Sequence, residues 1–119
     1  MRQETRKVCE AFIARKRATA ARSATDGKAI YLHGNAIAWW DDDDADTLFI
    51  CFCGYSTTTT KERINGLCEL LGLGRPFYVK DFQLYFGCEL RPVDSRETLR
   101  IHVPTARRCR AVGESLIAA

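Results

Sequence analysis

The sequence predicts an α+β fold, in which an antiparallel sheet of about five to six strands carries an N-terminal helix and a central helix packed on one face. Alternating apolar runs separated by turn residues indicate strands joined by hairpins. Two further segments place apolar residues at helical spacing. The chain has 119 residues, which suits a single domain with a modest core. The expected parts are a basic helix over residues 1–22, an α+β core over 28–103 and a weakly helical tail over 104–119.

The N-terminal segment contains neither glycine nor proline and predicts a helix with an apolar stripe. The same segment is rich in basic residues, among them the consecutive Arg15, Lys16 and Arg17. A basic face is most simply the solvated side of a packing helix. Its functional alternative is a contact with phosphates or with an acidic protein surface. Asp26-Gly27 then predicts a turn that leads into the core.

The Gly34-Asn35 pair lies between two apolar runs and predicts a hairpin with a two-residue turn. Side chains alternate between the two faces of a strand, so this register assigns every residue to a face. One face collects Ile30, Leu32, Ile37 and Trp39, and the other collects Ala29, Tyr31, Ala38 and Trp40. The face with Tyr31 and Trp40 is not polar. We therefore expect it to be covered by a helix or to be a contact surface.

An acidic run, Asp41, Asp42, Asp43 and Asp44, follows this hairpin. Adjacent carboxylates repel one another, so a solvated turn between strands is the simplest interpretation. The functional alternatives are a site for a hard cation or a decoy that occupies a basic groove made for DNA. The spaced D-x-D-x-D-G pattern of a calcium loop is absent, and we expect no metal.

Residues 47–55 are apolar on both faces, which indicates a central strand covered on both sides. Gly54 ends this strand. Thr59 and Glu62 match a capping box at the start of the central helix. The apolar residues that follow at helical spacing are Ile64, Leu67, Cys68 and Leu71.

The stretch YLHGNAIA, followed by GYSTTTTKERINGL, resembles a group of small proteins encoded by tailed phages and prophages. Their pattern is a YLHGN-type hairpin, a Gly-aromatic step and a T-T-K-E-R-L-N helix start, and the resemblance extends over about residues 26–86. It implies a phage protein in the host cytoplasm and no particular activity. This chain departs from the pattern in its additional cysteines, its acidic run and its longer ends.

Residues 76–90 predict a second hairpin that turns at Lys80-Asp81 and places Tyr78 and Tyr85 on one face. Aromatic residues on a sheet can stack nucleic-acid bases, but they are more often half-buried strand residues. Residues 98–103 alternate between polar and apolar and predict a last strand. We expect this hairpin and this strand to join the same sheet, with the last strand at an edge where a homodimer can form.

Six cysteines are present, at positions Cys9, Cys51, Cys53, Cys68, Cys88 and Cys109. The N-terminus has no apolar signal region, so we expect reduced thiols that pack as small apolar groups. The alternative is a zinc site through Cys51, Cys53 and a distant third ligand, although the closely spaced pairs typical of zinc sites are missing.

The sequence lacks phosphate-binding and nucleophile-elbow motifs, and we expect neither an enzyme nor a cofactor. It also lacks an apolar run of about 18 residues, so no membrane span is expected. The predicted function is a phage accessory protein that binds a host protein complex stoichiometrically, with an anti-CRISPR inhibitor as its concrete form. The alternative is a small nucleic-acid-binding protein that uses the basic N-terminal helix. The residues expected to contact the partner are Tyr31, Trp40, Asp41, Asp42, Asp43, Asp44, Arg15, Lys16 and Arg17.

Overall fold

A computed structural model describes residues 1–87 and 91–103 and confirms the α+β class. The elements in chain order are α1 (Gln3–Ile13), β1 (Ala18–Ala20), β2 (Ser23–Thr25), β3 (Ala29–Leu32), β4 (Asn35–Trp40), β5 (Thr47–Cys51), α2 (Thr58–Leu70), β6 (Phe77–Lys80), β7 (Gln83–Phe86), β8 (Arg91–Val93) and β9 (Thr98–His102). Six strands form one antiparallel sheet in the order β1-β2-β3-β4-β5-β9, and β6-β7-β8 form a second sheet. The predicted tail over 104–119 lies outside the described residues.

Both helices pack on one face of the large sheet, which we call the inner face. Its buried side chains come from every central strand and include Ile30, Leu32, Trp40, Leu48 and Ile50. Phe12 of α1 stacks on Trp40 with 4.8 Å between ring centroids. Helix α2 buries Ile64, Leu67 and Cys68, as its helical spacing predicted. The packing of two helices on one sheet face is thus confirmed.

The N-terminal helix is shorter than predicted, because α1 ends at Ile13 and residues 18–25 form the β1–β2 hairpin. Arg15 has φ +58°, a left-handed conformation that cannot continue an α-helix. Strand β2 pairs with β3, and this pairing outweighs the helix propensity of the alanines and arginines. Helix α1 consequently carries two basic and two acidic residues, Arg6, Lys7, Glu4 and Glu10, so it is not a basic helix.

The first hairpin turns at His33-Gly34, one residue earlier than predicted, with φ +52° and +82°. Leu32 pairs with Asn35, and a bulge then places the extra Ile37 in β4 before Ile30 pairs with Ala38. Moving a two-residue turn by one position leaves the relative facing of the two strands unchanged, whereas the one-residue bulge exchanges the two faces of β4 beyond it. As a result Trp40, not Trp39, faces the helices.

The central strand β5 has helices on one face only, contrary to the expectation of cover on both sides. Leu48, Ile50 and the following Phe52 are buried on the inner face, whereas Phe49 and Cys51 are half-buried on the opposite face. Strand β9 pairs with β5 and lies at the sheet edge, as predicted. Its polar residues Thr98, Arg100 and His102 are exposed.

The second hairpin belongs to the three-stranded sheet and not to the large one, so that expectation was wrong. It turns at Asp81-Phe82, where both residues have positive φ, and not at Lys80-Asp81. The Asn65 side chain of α2 binds both backbone groups of Phe77, as a neighbouring strand would. Its Nδ2 donates to the Phe77 carbonyl at 2.8 Å, and its Oδ1 accepts from the Phe77 N–H at 2.9 Å. Phe77 also contacts Phe52, with 5.1 Å between ring centroids. The small sheet is therefore attached to α2 and to the main core.

Helix α2 begins with a single cap and not with the predicted capping box. The Thr57 hydroxyl accepts from the Thr60 N–H at 3.3 Å. Glu62 instead receives hydrogen bonds from the Arg2 N–H at 3.2 Å, from the Thr5 hydroxyl and from the Arg63 guanidinium at 2.7 Å. Glu62 therefore joins the first turn of α1 to α2.

These contacts predict a pH-dependent stability. Burial by itself would raise the pKa of Glu62, but hydrogen bonds from Thr5, Arg2 and Arg63 and the Arg63 charge lower it below its ordinary value of 4.5. A lowered pKa means that the contribution of Glu62 to stability is complete above pH 4.5 and is lost as the pH falls through the folded-state pKa. We expect Glu62→Gln to be less stable than the parent chain at pH 7, and the difference to shrink below pH 4.5. Urea unfolding of both chains, at pH values from 7 down to below 4.5, measures this difference in stability.

The control for this prediction is Glu69→Gln, which removes an exposed carboxylate paired with Arg75 at 2.9 Å. Such exposed pairs contribute little to stability, so this variant should stay close to the parent chain at every pH. A difference between Glu62→Gln and the parent that is the same at pH 7 and pH 3 would contradict the assigned role of the carboxylate charge.

Candidate functional site

The structure brings three of the predicted contact regions together at one end of the large sheet. The guanidinium carbon of Arg15 lies 4.9 Å from the centroid of the Trp40 ring. The same side chain donates from Nη2 to the Ala45 carbonyl in the acidic loop at 3.3 Å. Trp40 is only 3 % exposed and donates from Nε1 to the Phe12 carbonyl at 3.1 Å. The assignment of Trp40 as a contact residue therefore does not fit its place in the core.

The acidic run is an internally hydrogen-bonded turn. Asp41 accepts from the Asp43 N–H at 2.9 Å, and Asp44 accepts from the Asp46 N–H at 2.9 Å and from the Thr47 hydroxyl at 2.8 Å. The hydrogen bonds from Asp46 and Thr47 hold the pKa of Asp44 below its ordinary value. Within residues 1–87 and 91–103, no three His, Cys, Asp or Glu side chains are arranged to hold a metal ion.

The remaining predicted contacts lie on the surface. Asp42 forms an exposed ion pair with Lys28 at 3.1 Å, and Asp43 is exposed. Lys16 and Arg17 are exposed in the loop between α1 and β1. Lys16 and Arg17 line a cleft together with Lys7 and Glu10 of α1.

The face of the large sheet opposite the helices, which we call the outer face, carries a row of aromatic residues. Trp39 of β4 lies directly opposite Phe49 of β5, and Phe49 lies opposite Arg100 of β9. The Trp39 and Phe49 rings are in contact, with centroids 5.8 Å apart. On the other side Trp39 pairs with Ala29, two residues before Tyr31 on the same face of β3. The three aromatic side chains are half-buried and Arg100 is exposed.

This outer face was only partly visible in the sequence. Tyr31 and an apolar second face were predicted, and the alternation in β5 already separated Phe49 from Leu48 and Ile50. Trp39 was missed because the bulge in β4 exchanges it with Trp40. The position of Arg100 could have been predicted from the sequence, because strand alternation places it on the face opposite the buried side chains of β9.

A cleft of about 490 Å³ lies between the β3–β4 turn and the first turn of α2. Its floor is apolar and consists of Leu32, Ile37 and Phe52. Its walls carry polar groups from His33, Asn35, Cys53, Tyr55, Thr57, Thr59 and Thr60. The three segments that supported the phage resemblance, YLHGN, the Gly-Tyr step and the threonine run, thus meet at this cleft.

Comparison with known proteins gives one match. A family model described as Kyanoviridae Gp96 protein matches residues 1–100, which is most of the chain. No curated protein and no solved structure matches the chain. Neither described helix is both long and apolar enough to cross a membrane. Because the family model covers well over half of its residues, this chain belongs to the Kyanoviridae Gp96 protein family and is a phage-encoded protein.

Proposed function

We propose that this phage-encoded protein acts by stoichiometric binding to a host protein complex, and that the outer face is the contact surface. The supporting observation is the row formed by Tyr31, Trp39, Phe49 and Arg100 on the sheet face opposite both helices. Tyrosine, tryptophan and arginine are the residues that most often dominate binding energy at protein interfaces. The proposal is one of binding and not of catalysis.

The geometry of the outer face favours a protein partner. Side chains on a hydrogen-bonded sheet lose little conformational freedom on binding, because neighbouring strands already restrict them. The contact between Trp39 and Phe49 adds to this preorganisation. An apolar patch on the partner would cover the two rings, and a carboxylate at its border would pair with Arg100.

The acidic loop supplies a second, electrostatic element of the proposal. Asp42 and Asp43 are exposed, and they can attract basic groups that the partner uses for nucleic acid. A host defence complex with a basic groove, such as a CRISPR effector in the host cytoplasm, has this chemistry. Charge reversal at Asp42 and Asp43 should slow association and weaken its salt dependence, whereas changes in the aromatic row should speed dissociation.

A second candidate function, binding of single-stranded nucleic acid, is supported by the small sheet. Tyr78 and Tyr85 face each other across β6 and β7 with stacked rings 5.4 Å apart, and Pro92 of β8 lies opposite Tyr85. Lys80 lies on the same face. Bases stack on such aromatic platforms when cations track the phosphates. The basic-helix version of this alternative is not supported, since α1 is balanced in charge.

The outer face as the contact surface is tested by the effect of Trp39→Ala on binding to the partner. We expect this variant to weaken the complex at least about thirtyfold, the equivalent of about 2 kcal/mol, as is typical of an interface hot spot. The measurement begins with capture of the partner from nuclease-treated host lysate at high salt. The captured complex is then purified, and its affinity is measured for the parent chain and for each variant.

The matched control is Tyr78→Ala, an aromatic truncation on the small sheet. It should leave the protein complex intact and should weaken only a nucleic-acid complex that is lost with nuclease or high salt. Urea unfolding of both variants shows that the proteins compared are folded. Equal affinity of Trp39→Ala and the parent chain for the purified partner would rule out the outer face as the interface.

A further inference from the structure

We infer that Cys51 and Cys53 form an oxidisable dithiol, at which a low-molecular-weight disulfide of the glutathione class produces an intrachain disulfide. This inference does not depend on the proposed binding function. It rests on the relative position of the two thiols and on their contrast with the other described cysteines.

The end of β5 brings the two cysteines together. Cys53 has φ +56°, so the chain turns back on itself immediately after the strand. In this turn the Cys53 N–H donates to the Cys51 sulfur at 3.3 Å, and the Cys53 thiol lies 3.8 Å from the Cys51 carbonyl. Oxidation of such a neighbouring pair is intramolecular in its second step, which favours it over a mixed disulfide.

Formation of the disulfide breaks only weak hydrogen bonds at the two thiols. The Cys51 thiol donates to the Arg96 carbonyl at 3.7 Å, and the Cys53 thiol donates to the Ala36 carbonyl at 3.1 Å. Cys51 lies on the outer face and Cys53 in the wall of the cleft, and both are half-buried. Small reagents therefore have routes to both sulfurs.

Cys9 and Cys68 differ from this pair in their exposure to solvent. Both are completely buried. Burial raises the pKa of each to about 12, so almost no thiolate is present at neutral pH. Burial also raises the pKa of Cys53, and the neighbouring Cys51 raises it further. The Cys51 thiol has the longer of the two hydrogen bonds, 3.7 Å against 3.1 Å, and it is the sulfur that we assign to the first step.

The reaction balances without any other reagent. The Cys51 thiolate attacks one sulfur of oxidised glutathione, the S–S bond breaks, and one glutathione thiolate leaves. The Cys53 thiol loses its proton to solvent, and its sulfur attacks Cys51 in the mixed disulfide and displaces the second glutathione. The protein loses two electrons and two protons, and one oxidised glutathione becomes two reduced molecules. The new bond replaces the hydrogen bond from Cys53 to Ala36 in the cleft wall.

The test uses the reduced, folded, full-length chain incubated with oxidised glutathione, quenched with acid, alkylated and digested with trypsin. The tryptic peptide 29–61 contains Cys51 and Cys53 and no other cysteine. Peptides 8–15 and 64–80 contain Cys9 and Cys68 and serve as internal controls. We expect peptide 29–61 to lose the mass of two hydrogen atoms and to escape alkylation, while the control peptides are alkylated after denaturation.

Two variants and one rate measurement complete the test. Cys51→Ser and Cys53→Ser should each abolish the mass loss in peptide 29–61. Native-state alkylation of the parent chain should label this peptide at least about tenfold faster than Cys9 or Cys68. The inference is overturned if peptide 29–61 remains reduced, carries only glutathione, or becomes linked to Cys88 or Cys109.

Discussion

Replacing Arg63 with alanine is expected to lower the free energy of unfolding by about 3–5 kcal/mol, the cost of removing one partner from a buried ion pair. The Arg63 side chain is 4 % exposed. Its Nε donates to the Ser23 hydroxyl at 2.8 Å, and Nη1 donates to Glu62 at 2.7 Å and to the Thr5 hydroxyl. One guanidinium thus joins β2, α1 and α2.

The expected effect is large because the substitution leaves buried polar groups without their hydrogen-bond donor. Without Arg63, the partly buried Glu62 carboxylate has lost its neighbouring cation, and the Ser23 and Thr5 hydroxyls have lost a donor. Unpaired buried groups retain their desolvation cost. Urea unfolding at pH 7 measures the loss as a lower midpoint with an unchanged slope.

The control is Arg6→Ala, which removes an exposed arginine from the i, i+4 pair with Glu10. Pairs of this kind contribute about 0.3–0.5 kcal/mol, so this variant should unfold close to the parent chain. A second variant, Glu62→Gln combined with Arg63→Ala, should recover part of the loss, because it no longer leaves an unpaired carboxylate. Comparable midpoints for Arg63→Ala and Arg6→Ala would show that the buried network does not stabilise the fold.

Replacing Trp40 with alanine is the second substitution with a large expected effect, a loss of about 3–5 kcal/mol. The ring stacks on Phe12 with planes 7° apart, donates to the Phe12 carbonyl and lies under the Arg15 guanidinium. Alanine would leave a large cavity between α1 and the sheet, because the surrounding backbone cannot collapse to fill it. Urea or thermal unfolding measures the loss.

Trp39→Ala is the matched comparison, because it removes the same side chain from the adjacent residue of the same strand. Trp39 is half-buried on the outer face, so its removal should cost less than half as much as that of Trp40. The register with a turn at Gly34-Asn35 makes the opposite prediction, since it places Trp39 with Ile30 and Leu32. A larger loss for Trp39→Ala would therefore show that the β4 bulge is wrongly placed.

The elements with a clear period were predictable from the sequence. The apolar spacing of Ile64, Leu67 and Cys68 marked α2, and the alternation in residues 98–103 marked β9 and the side chains it buries. Local periodicity is a property of neighbouring residues, and it survives in the folded protein wherever one face meets a core. For the same reason Phe49 and Tyr31 could be assigned to the faces that they occupy.

The elements that depend on pairing or packing with another element were not predictable. Residues 18–25 have the composition of a helix, and they form β1 and β2 because β3 offers an edge to pair with. The predicted capping box used Glu62 locally, whereas the folded chain uses it to bind the first turn of α1. No pattern in the neighbouring residues indicated that Arg63 would be buried.

The first hairpin separates what local sequence patterns predict from what depends on packing. Hydrophobic periodicity was enough to predict an α+β protein with two apolar faces on its first hairpin, because it sets which residues avoid water. The turn at His33-Gly34 and the bulge that follows it depend on packing in the folded protein, and the bulge fixes which tryptophan faces the helices. A bulge of one residue changes little in local propensity, but it exchanges the faces of every later residue in β4, so the packing of Phe12 against Trp40 determines the register.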